Sequence, residues 1–559
     1  GETDTASFMA HGYDPDLAVW SPFHGAAYAV LLSVTRLVSM GADWRKAYLT
    51  LQEYFEKLTD ASSWGKPAAA LLGAYYMQKV LGLGAIGGKD SMSGTFENLH
   101  VPPTLVSFAI APGKASEAVS QEWKESGSTL VLFGQPKDAN DMPDMDIFKA
   151  HADFLYREVQ AGHVRSMKAV GHGGLAVAAA EAAFGNRIGA VFNEAIPKSR
   201  YFGNFYGAIL VETDEASAQE WAKQPCVRII GVTGGEDMKL FGETVSLDEL
   251  LKAYEAPLND IFPIQAESST REIPGIPYFT PAVRSFARVQ AARPKVFIPV
   301  VPGNNCEVDS ARAFERAGAD TDIFIVRNRD QAELAESVDE MVRRINEAQI
   351  VMIPGGFSAG DEPDGSGKFI AALFRNRKLE EAMEALLHRR DGLVLGICNG
   401  FQALIKLGLV PYGEFKPLTG DAPTLTFNTI GRHLSRYVTT KVVSVKSPWL
   451  ALTKPGDLHS IAISHGEGRF IASPEQIRAW AANGQIATQY TDELGHASYD
   501  STFNPNESVW AVEGITSPDG RVLGKMGHSE RRGDNIAKNI SGEKYQPLFA
   551  AGVRYFTGK

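Results

Sequence analysis

The stretch from Asp391 to Gly408, DGLVLGICNGFQALIKLG, leaves the backbone the least choice anywhere in the chain. Leu393, Val394, Leu395 and Ile397 form a short apolar run of the length of a buried parallel strand. Phe401, Leu404, Ile405 and Leu407 follow at helical spacing. Only Cys398, between Gly396 and Gly400, separates the two periods. A side chain at so abrupt a strand-to-helix junction sits on a strained turn, and flanking glycines relieve the crowding. The pattern predicts a nucleophile elbow with sulfur as the nucleophile, at a helix N-terminus whose dipole favours the thiolate. The competing reading is a buried structural cysteine at a strand end, since free Cys is among the most buried residue types. The two glycines and the switch of period favour the elbow.

A nucleophilic thiol needs a base. One of the 12 histidines lies in Lys525-Met526-Gly527-His528-Ser529-Glu530-Arg531, just after Val522-Leu523, which reads as a strand end. In an extended segment His528 and Glu530 point the same way, so the carboxylate can orient the imidazole toward the thiol. A His-x-Glu pair alone also occurs on solvated loops; behind an elbow, in the order Cys, His, Glu, it reads as a triad.

Composition bounds the remainder. At 559 residues three or four domains are expected, and 44% hydrophobic with 22% charged residues is ordinary for a globular protein. A net charge of −11 and the absence of Lys/Arg runs argue against nucleic acid as a partner. Three widely spaced cysteines (Cys226, Cys306, Cys398) give neither a disulfide framework nor a metal-site spacing, which points to a reducing cytoplasm. No apolar run is long enough to span a bilayer, and no signal peptide is visible, so no membrane is expected. The chain opens Gly-Glu-Thr-Asp without an initiator Met, which reads as a fragment of a longer protein.

In chain order, residues 1–115 read as a first α/β unit, with apolar helices at Ala26–Val38 and Ala68–Val80 and a strand at Thr104–Ala111. Between them Ala85–Gly94 (AIGGKDSMSG) reads as a Gly-rich loop. Such a loop can wrap phosphate through Gly88, Lys89, Asp90 and Ser91 or be an ordinary connection. Residues 116–260 read as a second unit, with strands at Thr129–Phe133, Gly207–Glu212 and Val227–Val232, a helix at Ile147–Gln160, and Gly173-Gly174 opening a small-residue helix. His172, just before it, could face an anion or simply cap and pack. Residues 261–293, with Pro263, Pro274, Pro277 and Pro281, read as an extended connector. From 294 to 559 strands at Val296–Val301, Asp322–Val326 and Ile350–Ile353 alternate with helices, one of them long and just before the elbow. A further strand is read at Val442–Val445. This is a doubly wound parallel sheet, whose ligand site belongs at the carboxyl ends of the strands. Developing oxyanion charge there needs N–H donors, for which Asn399 and Gly356 of the Gly355-Gly356 turn are the candidates.

Gly396-Ile397-Cys398-Asn399-Gly400 followed by Gly527-His528-Ser529-Glu530-Arg531 resembles the triad-type (class I) glutamine amidotransferases. More narrowly, it resembles the glutaminase domain of the phosphoribosylformylglycinamidine synthase family. Pro302–Glu307 (PGNNCE), Pro354–Asp361 (PGGFSAGD) and Ser464–Phe470 (SHGEGRF) extend the likeness. Gly87–Ser93 and Gly173-Gly174-Leu175 resemble one aminoimidazole-ribonucleotide-synthetase-like half of that family, which carries two such halves in tandem before its glutaminase. The implied architecture is therefore N- and C-type synthetase-like domains followed by a flavodoxin-like glutaminase domain.

The resemblance implies that Cys398, His528 and Glu530 are catalytic, and that Gly355, Gly356, Phe357, Asn399 and Gln402 bind glutamine and the oxyanion. It places Gly88, Lys89, Asp90, Ser91, Gly173 and Gly174 at a nucleotide, and His465, Glu467 and Arg469 at a domain-coupling segment. In the full enzyme ATP and Mg²⁺ would serve the conversion of formylglycinamide ribonucleotide to the amidine, with that ribonucleotide held by the missing N-terminal half. This chain alone would release ammonia without making the amidine. Alignment by eye puts Leu32 and Arg36, and Gly171-His172, where relatives carry acidic and Asn metal ligands. Neither Leu nor Arg can ligate Mg²⁺, so an auxiliary, structural ADP, or a nucleotide-free scaffold, is what the first 260 residues are left with. The alternative reading is a stand-alone cysteine hydrolase of the DJ-1 or protease type beside such a scaffold.

Overall fold

The computed structural model describes residues 3–203, 205–282, 286–360 and 366–558, so Gly1 and the last residue of the PGGFSAGD stretch, Asp361, lie outside the described residues. Backbone contacts divide the chain into two compact units, with the boundary between Ile261 and Phe262.

Besides a two-stranded hairpin, Thr95–Phe96 with Leu99–His100, the first unit holds two larger sheets. In the smaller one the strand order is Thr5–Gly12, Thr104–Lys114, Tyr48–Tyr54, Ala85–Ser91. The helix Pro22–Ser39 starts at a Ser21 cap with Pro22 at its first position, and it is buried along nearly its whole length. The Gly-rich stretch is not a loop. Ala85–Ser91 is an exposed edge strand paired parallel to Tyr48–Tyr54. Gly88 is there because the strands touch: a Cβ would sit 2.3 Å from the Leu51 carbonyl oxygen. The second sheet has seven strands, among them Thr129–Phe133, Ile209–Thr213 and Val227–Thr233, and the small-residue helix runs Gly174–Phe184. Leu32 and Leu37 share one apolar core with Val131, Phe133 and Met167, so the two expected units pack as one body.

In the second unit nine strands line up as Asp320–Ile325, Lys295–Val300, Ile350–Ile353, Leu393–Ile397, Val522–Lys525, Val512–Thr516, Ile486–Thr491, Leu434–Val442 and Leu458–His465. The first five are mutually parallel, in the order 2-1-3-4-5 of a flavodoxin-like sheet. From Val512–Thr516 onward the pairing is antiparallel.

Three sequence expectations shift. The single long helix before the elbow is two short ones, Lys368–Phe374 and Arg377–Glu384, because Asn376 caps the second by accepting from the Lys378 N–H. The strand expected at Val442–Val445 runs Leu434–Val442. Val443 and Val445 instead pair with Phe279, at 3.0 Å each. Residues 262–282 and 286–293 are accordingly no free connector. Besides Phe279, Ala287 and Ala291 donate to the carbonyls of Tyr555 and Phe556, and the Ser268 hydroxyl meets that of Ser501 at 3.1 Å. The stretch is extended as expected, but it is laced onto the second unit, whose own backbone satisfies it.

Candidate active site

Cys398 has φ 53° and ψ −108°, a conformation that costs a non-glycine residue strain. Both flanking glycines are required by contact. A Cβ on Gly396 would lie 2.5 Å from Leu404 Cδ1, and one on Gly400 only 2.0 Å from the Ile353 carbonyl oxygen. The elbow is pinned on either side: Cys398 N–H donates to the Lys525 carbonyl at 2.9 Å, and Gln402 N–H to the Cys398 carbonyl at 3.0 Å. The thiol, 3.6 Å from the Ser464 carbonyl oxygen, lines a cavity of about 180 Å³ at the carboxyl end of its strand.

The strand Val522–Lys525 pairs with the elbow strand, Ile397 opposite Lys525, so its end delivers the following residues beside Cys398. Those residues form a tight turn rather than the extended segment expected, because Arg531 N–H closes on the His528 carbonyl and His528 N–H on that of Ala462. The turn still brings the pair together: His528 Nδ1 lies 2.6 Å from Glu530 Oε1, with both side chains buried. Burial alone would push the imidazole pKa down, but the Glu530 carboxylate and the Cys398 sulfur hold it well above its usual 6.5. Burial would likewise raise the Glu530 carboxyl, and the His528 charge and hydrogen bond bring it below the usual value. The couple is built to be an imidazolium–carboxylate facing a sulfur.

Gly355 is the spacer between these groups. Its Cβ would stand 2.9 Å from His528 Cε1, 3.1 Å from Cys306 Sγ and 3.4 Å from Cys398 Cβ. Gly356, with φ 136°, lines the cavity and bridges to Asn304, and Phe357 N–H donates to the Gly303 carbonyl at 2.9 Å. The side chain of Asn399 donates to Gln402 Oε1 at 3.0 Å, and Gln402 Nε2 donates to the Glu467 carbonyl at 2.6 Å. Gln402 thus props the cavity wall.

The coupling segment lies partly in that wall too. His465 and Glu467 line the cavity, whereas Arg469 is paired with Glu507 at 3.0 Å. His465 is fully buried, its Nδ1 3.1 Å from Asn428 Oδ1, and burial ahead of the His528 and His433 charges pulls its pKa down to about 3. Sequence reasoning missed Phe427, Arg432 and His433 on the rim, which carry no periodicity or motif; Ser464, also on it, was quoted only within the SHGEGRF stretch. It quoted Cys306 and Arg531 only within matching stretches. Cys306 Sγ in fact lies 3.9 Å from His528 Nδ1 and accepts from Arg531 Nη2 at 3.1 Å.

In the first unit Leu32 is buried, and the Arg36 guanidinium donates to the His11 carbonyl at 2.8 Å. A Cβ on Gly171 would be 3.7 Å from Arg36 Nη2, so a cation stands beside the place a metal would need. Asp14 and His172 approach to 3.5 Å, but Asp14 already caps a helix through the Leu17 N–H and accepts from the Tyr206 hydroxyl. Leu32 and Arg36 offer Mg²⁺ no side-chain oxygen, whereas Asp14, Asp16 and His172 bring ligand atoms within 4.8 Å of one another. Lys89 lies 5.5 Å over the Tyr54 ring on the edge strand, and Gly173 and Gly174 open their helix with φ 80° and 74°.

Residues 293–556 match the CobB/CobQ-like glutamine amidotransferase domain, and residues 115–240 the C-terminal domain of AIR synthase related proteins. Phosphoribosylformylglycinamidine synthase subunit PurQ of Methanococcus maripaludis is 33% identical over 244 residues, 43% of this chain and 83% of that protein. The chain belongs to the phosphoribosylformylglycinamidine synthase family. PurQ of Symbiobacterium thermophilum is 32% identical over 262 residues, 47% of this chain and 97% of that one. PurQ of Pyrococcus horikoshii is 33% identical over 251, 45% and 94% respectively. The relatives do not favour the DJ-1-type alternative. PurLQS of Thermotoga maritima, a solved structure, covers 47% of this chain and 99% of that chain at 24% identity and a TM-score of 0.34, too slight a likeness to argue from. Among the described residues no helix is long and apolar enough to cross a membrane.

Proposed function

We propose that residues 262–559 hydrolyse glutamine and that the ammonia serves the glutamine-dependent synthesis of formylglycinamidine ribonucleotide in purine biosynthesis. One observation carries the reading: a cysteine on a strained elbow opens onto a cavity, with a buried His528–Glu530 couple delivered beside it by the neighbouring strand.

The chemistry follows from the groups. The Cys398 sulfur attacks the side-chain carbonyl of glutamine, and the C–N bond breaks to leave a γ-glutamyl thioester. His528 takes the thiol proton and gives one to the departing nitrogen, so ammonia leaves. Water, deprotonated by the same imidazole, then cleaves the thioester to glutamate. Glu530 keeps the imidazole in place and charged while the oxyanion forms. The N–H groups of Asn399 and Gly356 are the donors assigned to that oxyanion; losing one such donor typically costs about a hundredfold in rate. The thiol, the imidazole and the wall of the cavity all belong to residues 262–559.

Cys398→Ala should still bind glutamine while losing glutaminase activity by several orders of magnitude, and the wild-type protein should yield a trapped γ-glutamyl thioester at residue 398. Normal hydrolysis by the variant would remove Cys398 as nucleophile.

For the first unit the reading is a scaffold that holds a nucleotide without Mg²⁺ ligands at Leu32 and Arg36, with Gly88–Ser91 and Gly173-Gly174 as the phosphate contacts. Acid extraction of the purified protein tests it: released ADP supports it, and an ultraviolet-silent extract removes it. His465, Glu467 and Arg469 are proposed to couple glutamine occupancy to the ammonia-consuming site, since two of them line the glutamine cavity.

A further inference from the structure

Lys525 and Glu513 form an ion pair whose side chains are 1% and 0% exposed, with Nζ to Oε1 at 3.3 Å. Neither lines the glutamine cavity. Two charges taken that far out of water carry a large desolvation cost, and apolar residues of similar volume usually serve stability as well or better. What the pair holds is therefore informative.

It holds the catalytic turn. Lys525 Nζ donates to the Gly527 carbonyl at 2.8 Å and to the Ser529 hydroxyl at 2.9 Å, and that hydroxyl in turn donates to Gln546 Oε1 at 2.8 Å. Glu513 Oε1 accepts the Gly527 N–H at 2.7 Å, and its other oxygen accepts from the Thr488 hydroxyl. The residues on either side of His528 are thus both tied to one ammonium. Gly527 must be glycine for this, because a Cβ there would lie 2.9 Å from Glu513 Oε1 and 3.1 Å from Lys525 Nζ. The backbone carbonyl of the same Lys525 accepts the Cys398 N–H at 2.9 Å. One residue therefore anchors the nucleophile through its main chain and the base through its side chain.

We propose that the Lys525–Glu513 pair is a positioning device that sets the approach of His528 to Cys398. The proposal rests on the glutaminase reading. It adds two residues that touch neither glutamine nor the reacting atoms, and act only through the Met526–Glu530 turn.

The test is the double substitution Lys525→Met/Glu513→Gln in the full chain, which removes both charges and keeps the volume. Displacing a reacting group by about 1 Å can cost about a hundredfold in rate. We expect kcat for glutamine hydrolysis to fall at least tenfold with KM unchanged. The thermal midpoint should be unchanged, and Cys398 should still be fully titrated by 6-diazo-5-oxo-norleucine. A kcat within twofold of wild type would overturn the proposal, as would a loss that only tracks the fraction of titratable thiol. Should the double variant not fold, Glu513→Gln alone keeps the Gly527 and Thr488 bonds but leaves the Lys525 ammonium without its carboxylate, so it is judged by kcat per titratable thiol and not by the thermal midpoint. The alkylation rate of Cys398 by iodoacetamide at one fixed pH reads the contact without turnover. It should fall in the variants, and an unchanged rate would count against the pair. Wild-type hydrolysis of glutamine tests the glutaminase reading separately, since the pair is judged only by the ratio of variant to wild type.

Discussion

His528 and Glu530 are two positions apart on a turn, yet Nδ1 and Oε1 meet at 2.6 Å with the second carboxylate oxygen, Oε2, buried and without a hydrogen-bond partner among the described residues. The carboxylate's charge is therefore committed to the imidazole. Burial would lower the folded-state pKa of His528, but the Glu530 carboxylate and the Cys398 sulfur raise it above the usual value. Glu530→Gln should bring the alkaline limb of kcat/KM for glutamine hydrolysis to lower pH. It should also cut kcat by about 10⁴-fold, as neutralising the orienting carboxylate of a nucleophile–His–carboxylate triad does. A pH–rate profile of both proteins checks this, and an alkaline limb that does not move would remove Glu530 from the role.

Gly355 makes a second, purely steric prediction. Gly355→Ala introduces a methyl 2.9 Å from His528 Cε1 and 3.1 Å from Cys306 Sγ, and the ring must give way. Glutaminase activity should fall on the order of a hundredfold, the cost of a reacting group misplaced by about 1 Å, while the fold survives. Gly400→Ala is different in kind. Its methyl would meet the Ile353 carbonyl oxygen, part of the sheet itself, at 2.0 Å, so the elbow cannot close and soluble protein should be lost. Activity per titrated thiol, measured beside the thermal midpoint, separates the two.

His465 predicts an acid liability. Its folded-state pKa lies near 3, below the ordinary 6.5, because burial disfavours the charged ring. The unfolded chain therefore binds a proton the folded chain refuses. The contribution is fully present above about pH 6.5 and is lost as pH falls toward 3, at about 1.4 kcal/mol per unit. His465→Gln, whose side chain does not titrate, should flatten the fall in thermal midpoint between pH 7 and pH 4. A wild-type midpoint indifferent to pH over that span would contradict the burial of a neutral ring.

The elbow was legible because its constraints are local: the strand period, the helix period and two glycines occupy one continuous stretch, and the contacts at Gly396 and Gly400 are what those glycines are for. The His-x-Glu couple was legible as residue types but not as geometry, since the turn depends on Ala462, Lys525 and Glu513, which are distant in sequence or unremarkable in it. Gly87-Gly88-Lys89 misled for the opposite reason. Paired glycines announce a loop, but at Gly88 the missing side chain serves the close approach of Leu51 in a neighbouring strand. The cavity rim, with Phe427, Arg432 and His433, comes from loops whose placement is set by tertiary contacts alone.

Residues 262–282 and 286–293 yield the last prediction. Proline-rich composition implied a connector, and a connector would tolerate substitution. Phe279 instead exchanges two backbone hydrogen bonds with Val443 and Val445, and its half-buried ring lies where a Cβ on Gly484 would meet it at 2.4 Å. Truncating a half-buried phenylalanine removes apolar contact worth about 1–2 kcal/mol. Phe279→Ala should therefore lower the thermal midpoint of the glutaminase unit and speed proteolytic cleavage between residues 262 and 282. The kcat for glutamine should not change, because Phe279 does not line the cavity; the strap meets that cavity's rim at Pro263, whose carbonyl accepts from Arg432 at 2.7 Å. Unchanged proteolysis together with an unchanged midpoint would return the segment to the status of a tether.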